Sequence, residues 1–534
     1  MEFTLAKAAV GAAGLLVIGL AWAVRPFIRR HLTTRLHTIP GPKSDSWLSG
    51  NLTRIFNSPN SVVHEQYRRI YGATFVYRGF LSSYRLCTFD HRALQHILNT
   101  TTVYQKPEIA RRSLTQLLGE GLLTAEDEQH RRQRRVMMPA FGNAQLRELT
   151  QVFMDTSTQL RDIWLSKTAE TGLVTLDALS WLSRATLDII GKGGFGYDFD
   201  ALNEHGPPNE LNEAFTNVFS TAQAPNIWII LRAFLPFLRI IPNKRERETR
   251  AARATMDRIG RQLVTEKKHA LAAGEKGAGR DILSLLIQAN MDKDLPDNVR
   301  MSDEEVMGQI PTFLVAGHET TATTTTWCFY SLGQEIDVQD RLREELLRVD
   351  TENPTMEQLN ALPYLDAVVR ETLRVHSVAP STIRTAIQND SIPLATPYLD
   401  RNGRTCSEIK ITKGDEIFIP ILAVNREPEV WGEDCRAFRP ERWLNGVPSQ
   451  TLSIPAALAG VATFSGGPHS CIGYRFAVIE MKALLFHLIR AFRIELAVDP
   501  SEVEARSTLV TRPMLKSDKR NALPIKLTAV QSST

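Results

Sequence analysis

The segment FSGGPHSCIG (464–473) limits what this chain can fold into more than any other part of the sequence. It places Cys471 in a glycine-rich loop directly before YRFAVIEMKALLFHLIRAF (474–492), whose apolar spacing predicts a helix. The N–H groups at the start of a helix favour an anion and therefore a thiolate. The sequence thus predicts a fold that holds a reactive thiolate at the start of a helix.

Three kinds of chemistry stay open for this thiolate on the residues alone: metal ligation, nucleophilic catalysis and redox exchange. Gly466, Gly467 and Gly473 permit tight turns and the close approach of a flat ligand, and Phe464 can pack around the sulfur. His469 is near enough in sequence to serve as a base, but nearness in sequence does not establish catalytic geometry.

The composition is that of an ordinary globular protein, with 534 residues of which 43% are hydrophobic and 23% charged. Five cysteines are widely scattered without a C-x-x-C pair, which argues against a disulfide framework or structural zinc and indicates a reducing compartment. The net charge is +4 and no long basic tract occurs, so we expect no nucleic-acid partner.

The N-terminus carries an uncharged apolar run, AAVGAAGLLVIGLAWAV (8–24), which as a helix would span about 26 Å, close to the thickness of a bilayer core. The alternative is a cleavable signal peptide, because the triplet AWA (21–23) resembles a cleavage site. The length of the run and the arginines after it favour a retained single-pass anchor with the body in the cytosol. We therefore expect a membrane anchor at 1–24 and a basic, proline-containing linker at 25–42.

The rest of the chain, 43–530, is expected to form one large helix-rich domain with a small β part. Periodicity and capping signals predict long helices, and alternating apolar runs predict short strands. The expected helices are 244–273, 302–335, 337–349, 363–376 and 474–492, and the expected strands are 73–78, 84–89, 408–412 and 416–420. Pro311 and Gly317 predict a bend in the second of these helices. The apolar stretch 224–241 is either buried core or a loop that dips into the membrane surface.

Four motifs that follow one order along the chain resemble those of the cytochrome P450 family. Phe464, Gly467, His469, Cys471 and Gly473 match the haem-binding signature F-x-x-G-x-[RH]-x-C-x-G. The others are the oxygen-binding-helix segment AGHETT (316–321), the E-x-x-R motif ETLR (371–374) and the P-E-R segment FRPERW (438–443). The resemblance covers about residues 40–530.

This resemblance implies a mainly α (α+β) fold, the cytochrome P450 fold, with a large helical domain and small β-sheets behind the N-terminal transmembrane helix. It also implies a eukaryotic microsomal monooxygenase of fungal type. Cys471 would be the metal ligand, as the axial thiolate of haem b iron, and the other signature residues would bind the cofactor.

The segment 316–321 could be ordinary close helix packing, since small and β-branched residues favour it. In the family, a hydroxyl beside a carboxylate at a helix distortion holds water and delivers protons while oxygen is activated. Thr320 and Glu319 are therefore the expected catalytic proton relay, and His318 is expected to be a bystander.

The haem carboxylates would need cations, and four residues resemble the family's propionate ligands. His469 and Arg384 stand at two family positions. The segment EDEQHRRQRRVMMPAF (126–141) resembles the W-x-x-x-R motif and supplies Arg134 together with His130, which replaces the usual tryptophan. Histidine can still donate a hydrogen bond to a carboxylate.

Glu371 and Arg374 lie three residues apart on a helix, where weak surface ion pairs are common. With Arg442 at the family's spacing, the resemblance implies a buried Glu–Arg–Arg cluster. Its role would be structural, because buried ion clusters cost desolvation and act to specify the fold.

Residues at the family's pocket positions are mostly apolar, which favours a lipophilic substrate such as a terpenoid, a steroid, another secondary metabolite or a xenobiotic. The expected pocket residues are Phe313, Ala316, Val378, Ile383, Leu509 and Val510.

Electrons would come from NADPH through a separate cytochrome P450 reductase, with cytochrome b5 as a second candidate partner, at the endoplasmic reticulum membrane. The chain shows no nucleotide-binding loop of its own, since GKGGFG (191–196) follows a helical run and does not have the expected context. Arg131, Arg132 and Arg135 are expected to form a solvated basic face.

Two other functions stay open at this point. One is a haem-thiolate isomerase or dehydratase that acts on a peroxide without external electrons, which would need no proton relay. The other is a non-catalytic membrane haem protein or sensor.

Overall fold

The computed structural model describes residues 33–169, 172–206, 209–214, 244–274, 280–291, 300–507 and 510–530. The predicted anchor at 1–24 and the apolar stretch 224–241 lie outside the described residues, as does the first part of the predicted linker, 25–32. Within the described ranges, no helix combines the length and the hydropathy needed to cross a bilayer.

Helices make up most of the described chain. They are α1 (Leu52–Asn57), α2 (Val62–Tyr71), α3 (His91–Asn99), α4 (Glu108–Leu118), α5 (Asp127–Met137), α6 (Asn143–Thr168), α7 (Ala178–Ile190), α8 (Lys244–Ala273), α9 (Ile282–Met291), α10 (Asp303–Leu314), α11 (Thr320–Leu332), α12 (Ile336–Leu347), α13 (Met356–Asn360), α14 (Pro363–Val375), α15 (Ile421–Val424), α16 (Pro428–Trp431) and α17 (Tyr474–Ala491). The mainly α class expected from the sequence is thus observed.

The strands are short and form small sheets. They are β1 (Thr74–Arg78), β2 (Tyr84–Thr88), β3 (Tyr104–Gln105), β4 (Leu173–Asp177), β5 (Thr382–Ala386), β6 (Asp390–Leu399), β7 (Thr405–Ile411), β8 (Glu416–Ile419), β9 (Phe492–Leu496), β10 (Val503–Ser507), β11 (Thr511–Leu515) and β12 (Pro524–Ala529). Five of them follow the order β1-β2-β8-β5-β3, in which β2 and β8 are parallel and the other neighbours antiparallel. The strands β4-β12-β9 form a second sheet, and β6-β7 and β10-β11 are hairpins.

Two apolar cores hold these elements together. The larger core joins the helices from α4 to α17, with Phe153, Leu283 and Phe486 fully buried in it. The smaller core lies under the five-stranded sheet, where Phe75, Leu86 and Ile417 are fully buried. The loop 464–473 packs on the helical core through Phe464, and Ala462, just before the loop, belongs to the sheet core.

The expected long helix 302–335 is divided in the structure. Ser302 and Glu305 form a capping box at its start, as the acidic first turn predicts. A π-helical segment, Val315–Glu319, separates α10 from α11 and provides the distortion expected from Pro311 and Gly317. A Cβ atom on Gly317 would lie 2.8 Å from Ile190 of α7, so glycine allows this segment to pack closely on its neighbour.

Candidate functional site

The loop 464–473 brings Cys471 to the start of α17, which begins three residues later. Its backbone N–H donates to the carbonyl of Phe464 over 2.9 Å and closes the loop. Burial raises the pKa of the Cys471 thiol, whereas the N–H of Gly473 and the positive charge of Arg134 oppose that rise. The residue nevertheless retains accessible surface, so its sulfur is available to a partner.

Two of the three loop glycines are required by neighbouring protein atoms. Gly467 has φ +70°, and a Cβ there would lie 2.4 Å from the carbonyl oxygen of Leu98. A Cβ on Gly466 would lie 2.4 Å from the carbonyl oxygen of Pro455. Gly473 has φ −92°, and a Cβ there would meet only Phe141, at 3.6 Å, so the surrounding chain does not require glycine at this position.

His469 and His130, the two histidines predicted to bind a propionate, stack face to face with ring centroids 3.8 Å apart. Burial and the charge of Lys106 lower the pKa of His469 to about 2 and that of His130 to about 4. The charges of Arg384 and Arg134 also lower the pKa of His469, and Arg134 bonds to the carbonyl of the neighbouring Ser470.

Neither predicted arginine of this group pairs with a carboxylate among the described residues. Arg134, on α5, donates to the carbonyl of Ser470 over 2.6 Å, next to the cysteine. Arg384, on β5, is 7% exposed and donates only to the Thr382 hydroxyl and the Ile383 carbonyl. A buried guanidinium that contacts no carboxylate points to an anionic ligand, because burying a charge without a paired group is costly.

Two further members of this group, Lys106 and Glu126, were not predicted from the sequence. Lys106 Nζ lies 3.1 Å from Glu126 Oε1 and 3.2 Å from His469 Nδ1. Glu126 also accepts the backbone N–H of Lys106 over 3.0 Å. The available signal was that Glu126 begins the segment 126–141, but nothing in the sequence links that segment to Lys106.

The π-helical segment positions the predicted proton relay. Glu319 is buried and accepts from Arg512 Nε over 2.7 Å. Thr320 is half-buried, and its hydroxyl donates to the carbonyl of Ala316 over 2.5 Å. The two predicted relay residues are thus adjacent, but Arg512, which sequence reasoning did not single out, holds the acid.

His318 turns away from this pair, toward α7, where its Nε2 lies 2.7 Å from the Ser183 hydroxyl. Burial lowers its pKa to about 4. Its position agrees with the expected bystander role. The glycine-rich segment Gly191–Phe195 is a π-helical turn in the core, with four of its residues buried.

The predicted pocket residues fall on three elements. Phe313, on α10, is buried and packs edge-on against Phe141 with ring centroids 5.5 Å apart. Ala316, in the π-helical segment that follows, is exposed although the preceding helix α10 is mostly buried.

The carbonyl of Val378 accepts the N–H of Thr511 over 2.8 Å, which brings Val378 close to Val510. Both of these valines are buried, and Ile383 is half-buried on β5. Leu509 lies outside the described residues. The described pocket residues are therefore apolar and come from separate parts of the chain.

The predicted Glu–Arg–Arg group is assembled around Glu371. Arg374 donates to both of its carboxylate oxygens, over 2.8 and 2.7 Å, and both side chains are 0% exposed. Arg442 Nε donates to Glu371 over 2.9 Å, and so does Trp443 Nε1.

This group is tied to the cysteine loop. Arg374 also donates to the carbonyls of Asn425, Cys435 and Ala437, and the Thr463 hydroxyl donates to the carbonyl of Leu373, next to Arg374. Thr463 directly precedes Phe464, so the ion cluster supports the start of the loop.

The expected solvated basic face on α5 is wrong for Arg132. Arg132 pairs with the buried carboxylate of Glu305 over 2.5 Å and caps the start of α10 together with Gln133. Arg131 and Arg135 are exposed, as expected, and Arg131 pairs with Glu128. The helix faces α10 on one side, which a charge pattern alone does not reveal.

Comparison with known proteins gives the relatives of this chain. The family model for cytochrome P450 matches residues 40–517. Cytochrome P450 monooxygenase 205 of Postia placenta is 49% identical over 97% of this chain and 96% of its own length. Cytochrome P450 monooxygenase 128 of the same fungus is 46% identical over 96% of both chains, and cytochrome P450 monooxygenase claP of Ampulloclitocybe clavipes is 34% identical over 96% of both.

These relatives span nearly the whole chain, and all three are named cytochrome P450 monooxygenases. The chain is a fungal cytochrome P450 monooxygenase and belongs to the cytochrome P450 family.

Proposed function

We propose that this chain is a membrane-bound haem-thiolate monooxygenase that inserts one oxygen atom of O2 into a lipophilic substrate. The observation that carries the proposal is the exposed Cys471 in a loop next to Arg134, together with the buried Arg384, two arginines that form no ion pair with a described carboxylate. A thiolate for iron and cations for two carboxylates are the donor set that haem requires.

The residues present fit haem in two further ways. The stacked imidazoles of His130 and His469 lie beside the arginines and offer hydrogen bonds to a carboxylate. No neighbouring protein atom requires glycine at position 473. The small size of Gly473 therefore suits the close approach of a flat ring. When bound, haem would supply the activation of O2, and the Cys471 thiolate would hold its iron.

The described chain would supply the protons for this reaction. Glu319 would take up a proton when the Arg512 contact loosens, and the Thr320 hydroxyl would pass it toward the oxygen side once it leaves the Ala316 carbonyl. Threonine hydroxyls inside a helix commonly bond the carbonyl four residues back, and they can exchange that partner for water.

The apolar lining favours a lipophilic substrate such as a terpenoid, a steroid, another secondary metabolite or a xenobiotic. Phe313, Ala316, Val378, Ile383 and Val510 would contact it, and Leu509 stays an expectation from the sequence. These apolar residues would exclude water from the reacting carbon of the substrate. The shape of the pocket would then orient the substrate.

Electrons would come from NADPH through a cytochrome P450 reductase, with cytochrome b5 as a second donor. Arg131 and Arg135, both exposed on α5, offer positive charge to an acidic partner. The apolar run 8–24 supports a single-pass anchor in the endoplasmic reticulum membrane, with the linker 25–42 leading to a cytosolic domain at 43–530.

The first test is the absorption spectrum of the reduced protein with carbon monoxide. The wild-type chain should show the red-shifted band of a thiolate ligand, and Cys471→Ala should lose it. Cys406→Ala is the matched control, because Cys406 is half-buried and lies outside the loop 464–473. This variant should keep the band. A normal band in Cys471→Ala would overturn the assignment.

The second test is turnover. Lipophilic compounds that shift the haem spectrum should be oxidised with NADPH and reductase, and Thr320→Ala should release peroxide in place of product. Thr320→Ser, which keeps the hydroxyl, should restore coupling. Conversion of hydroperoxides without electrons, unaffected by Thr320→Ala, would favour an isomerase instead.

The third test concerns the anchor. Removal of residues 1–24 should move the protein from the membrane fraction to the soluble fraction while the carbon monoxide band is kept. Continued tight membrane association of the shortened chain would contradict the single-anchor proposal.

A further inference from the structure

A buried carboxylate lies within the group of cations proposed to bind the haem propionates. The Glu126 side chain is 4% exposed, at the N-cap of α5. It contacts Lys106 Nζ at 3.1 Å and His469 Nε2 at 3.5 Å. Among the described residues, it is the only carboxylate that pairs with either of them.

The influence of Glu126 extends beyond these two contacts. It raises the pKa of Arg384, against the dominant lowering by burial, so its negative charge also reaches the guanidinium on β5. Lys106 Nζ in turn donates to His469 Nδ1. The negative charge of Glu126 therefore acts on three residues from distant parts of the chain, namely Lys106, His469 and Arg384.

This arrangement is unexpected for a site that receives anions. Two propionates would need the same cations that Glu126 already holds, and like charges in a buried site repel strongly because screening is weak there. A carboxylate kept at such a place lowers the positive potential at the haem edge.

We propose that Glu126 is a positioning and charge-setting residue of the haem site: it fixes Lys106 against His469, and its negative charge offsets the cations next to the propionates. The inference rests on the proposed function, since it requires haem at Cys471. Two consequences follow. Glu126 lowers the reduction potential of the iron, because a nearby negative charge disfavours the added electron, and it weakens the hold on the propionates.

Glu126→Gln separates charge from shape. Glutamine keeps a side-chain oxygen for the backbone N–H and the ammonium of Lys106, and it removes the negative charge. The haem-loaded variant should show a more positive midpoint potential in a redox titration. Its haem should also pass severalfold more slowly to an excess of apomyoglobin.

Lys106→Met is the opposite change, since it removes a cation from the same contact. It should shift the midpoint potential to a more negative value and release haem faster than the wild type. Glu128→Gln is the matched control, because Glu128 is on the same helix but exposed and pairs only with Arg131. It should change neither quantity.

The outcomes separate the two proposals. A wild-type chain that takes up no haem would overturn the proposed function together with this inference. A wild type that holds haem, with a Glu126→Gln variant whose potential is unchanged or more negative, would overturn this inference alone. Opposite shifts in Glu126→Gln and Lys106→Met would support it.

Discussion

Arg512 on β11 donates a hydrogen bond from Nε to Glu319 Oε1 over 2.7 Å, and its Nη2 forms an ion pair with the same oxygen at 2.5 Å. The two residues are 193 positions apart in the chain, and the carboxylate is 8% exposed. The acid of the proposed relay is therefore held by a cation from the β10-β11 hairpin.

Arg512→Gln should impair this relay. A buried carboxylate that loses its cation is destabilised and is no longer held in position. General acid–base groups contribute about 10²–10⁴-fold to the reaction rate. We expect at least about tenfold less product per NADPH consumed, with more peroxide, while the carbon monoxide band is retained. Product, peroxide and NADPH consumption would be measured together in the reconstituted system.

Arg506→Gln is the control for this experiment, because Arg506 is on the same hairpin but half-exposed and pairs with Glu504. Its coupling should equal that of the wild type. Normal coupling in Arg512→Gln would show that Glu319 works without its partner.

Glu371→Gln should destabilise the whole domain. It leaves the fully buried Arg374 without its counter-ion, and breaking such a buried pair costs about 3–5 kcal/mol. The expected result is a low yield of haem-loaded protein and a lower thermal unfolding temperature. The comparison is Glu108→Gln, which breaks an exposed pair with Arg112 and should cost less than about 1 kcal/mol. Equal losses in both variants would contradict a structural role for the cluster.

Glu480 should make stability depend on pH in the alkaline direction. Its side chain is fully buried on α17, and burial raises its pKa well above 4.5, although the Thr321 hydroxyl opposes that rise. The folded state therefore keeps the proton, so the stability it contributes is full below pH 4.5 and is lost as the pH rises toward the folded-state pKa.

Glu480→Gln, which cannot ionise, should remove this slope of about 1.4 kcal/mol per pH unit. When the pH is raised from about 5 to about 8, the unfolding free energy of the variant should increase by more than about 1 kcal/mol relative to that of the wild type. Denaturant unfolding at both values measures it. Glu344→Gln, an exposed glutamate of α12, should show no such gain, and parallel curves for Glu480→Gln and the wild type would refute the idea.

His64 should act in the opposite direction. It is buried, it stacks on Phe418 with ring centroids 4.3 Å apart, and burial lowers its pKa to about 3. Its contribution to stability is present above pH 6.5 and is lost as the pH falls toward 3, because only the unfolded chain binds the proton in that range.

His64→Phe keeps an aromatic ring against Phe418 and should reduce the loss of stability on going from neutral pH to about pH 5 by about 2 kcal/mol. Unfolding curves at both pH values test this. His205→Asn, which changes an exposed histidine, should follow the wild type. If the unfolding free energy of His64→Phe fell as steeply with acid pH as that of the wild type, the loss would belong to other buried histidines.

Most of the individual groups of the proposed site could be found from the sequence. The local motifs around Cys471, Glu371 and Thr320 are short and contiguous, so their spacing carries the chemistry directly. Lys106, Glu126 and Arg512 were missed as site residues because each acts through a partner more than a dozen residues away, and only the fold creates that contact.

The sequence by itself determined the helical class, the cysteine at a helix start and the cytochrome P450 family, because periodicity and contiguous motifs are local properties. It also predicted the distorted helix at Pro311 and Gly317. The tertiary structure alone decided which charges meet: Arg132 pairs with Glu305 and does not face solvent, and Arg512 holds Glu319. The reason is that electrostatic partners depend on distance and burial, which a linear pattern of charges does not contain.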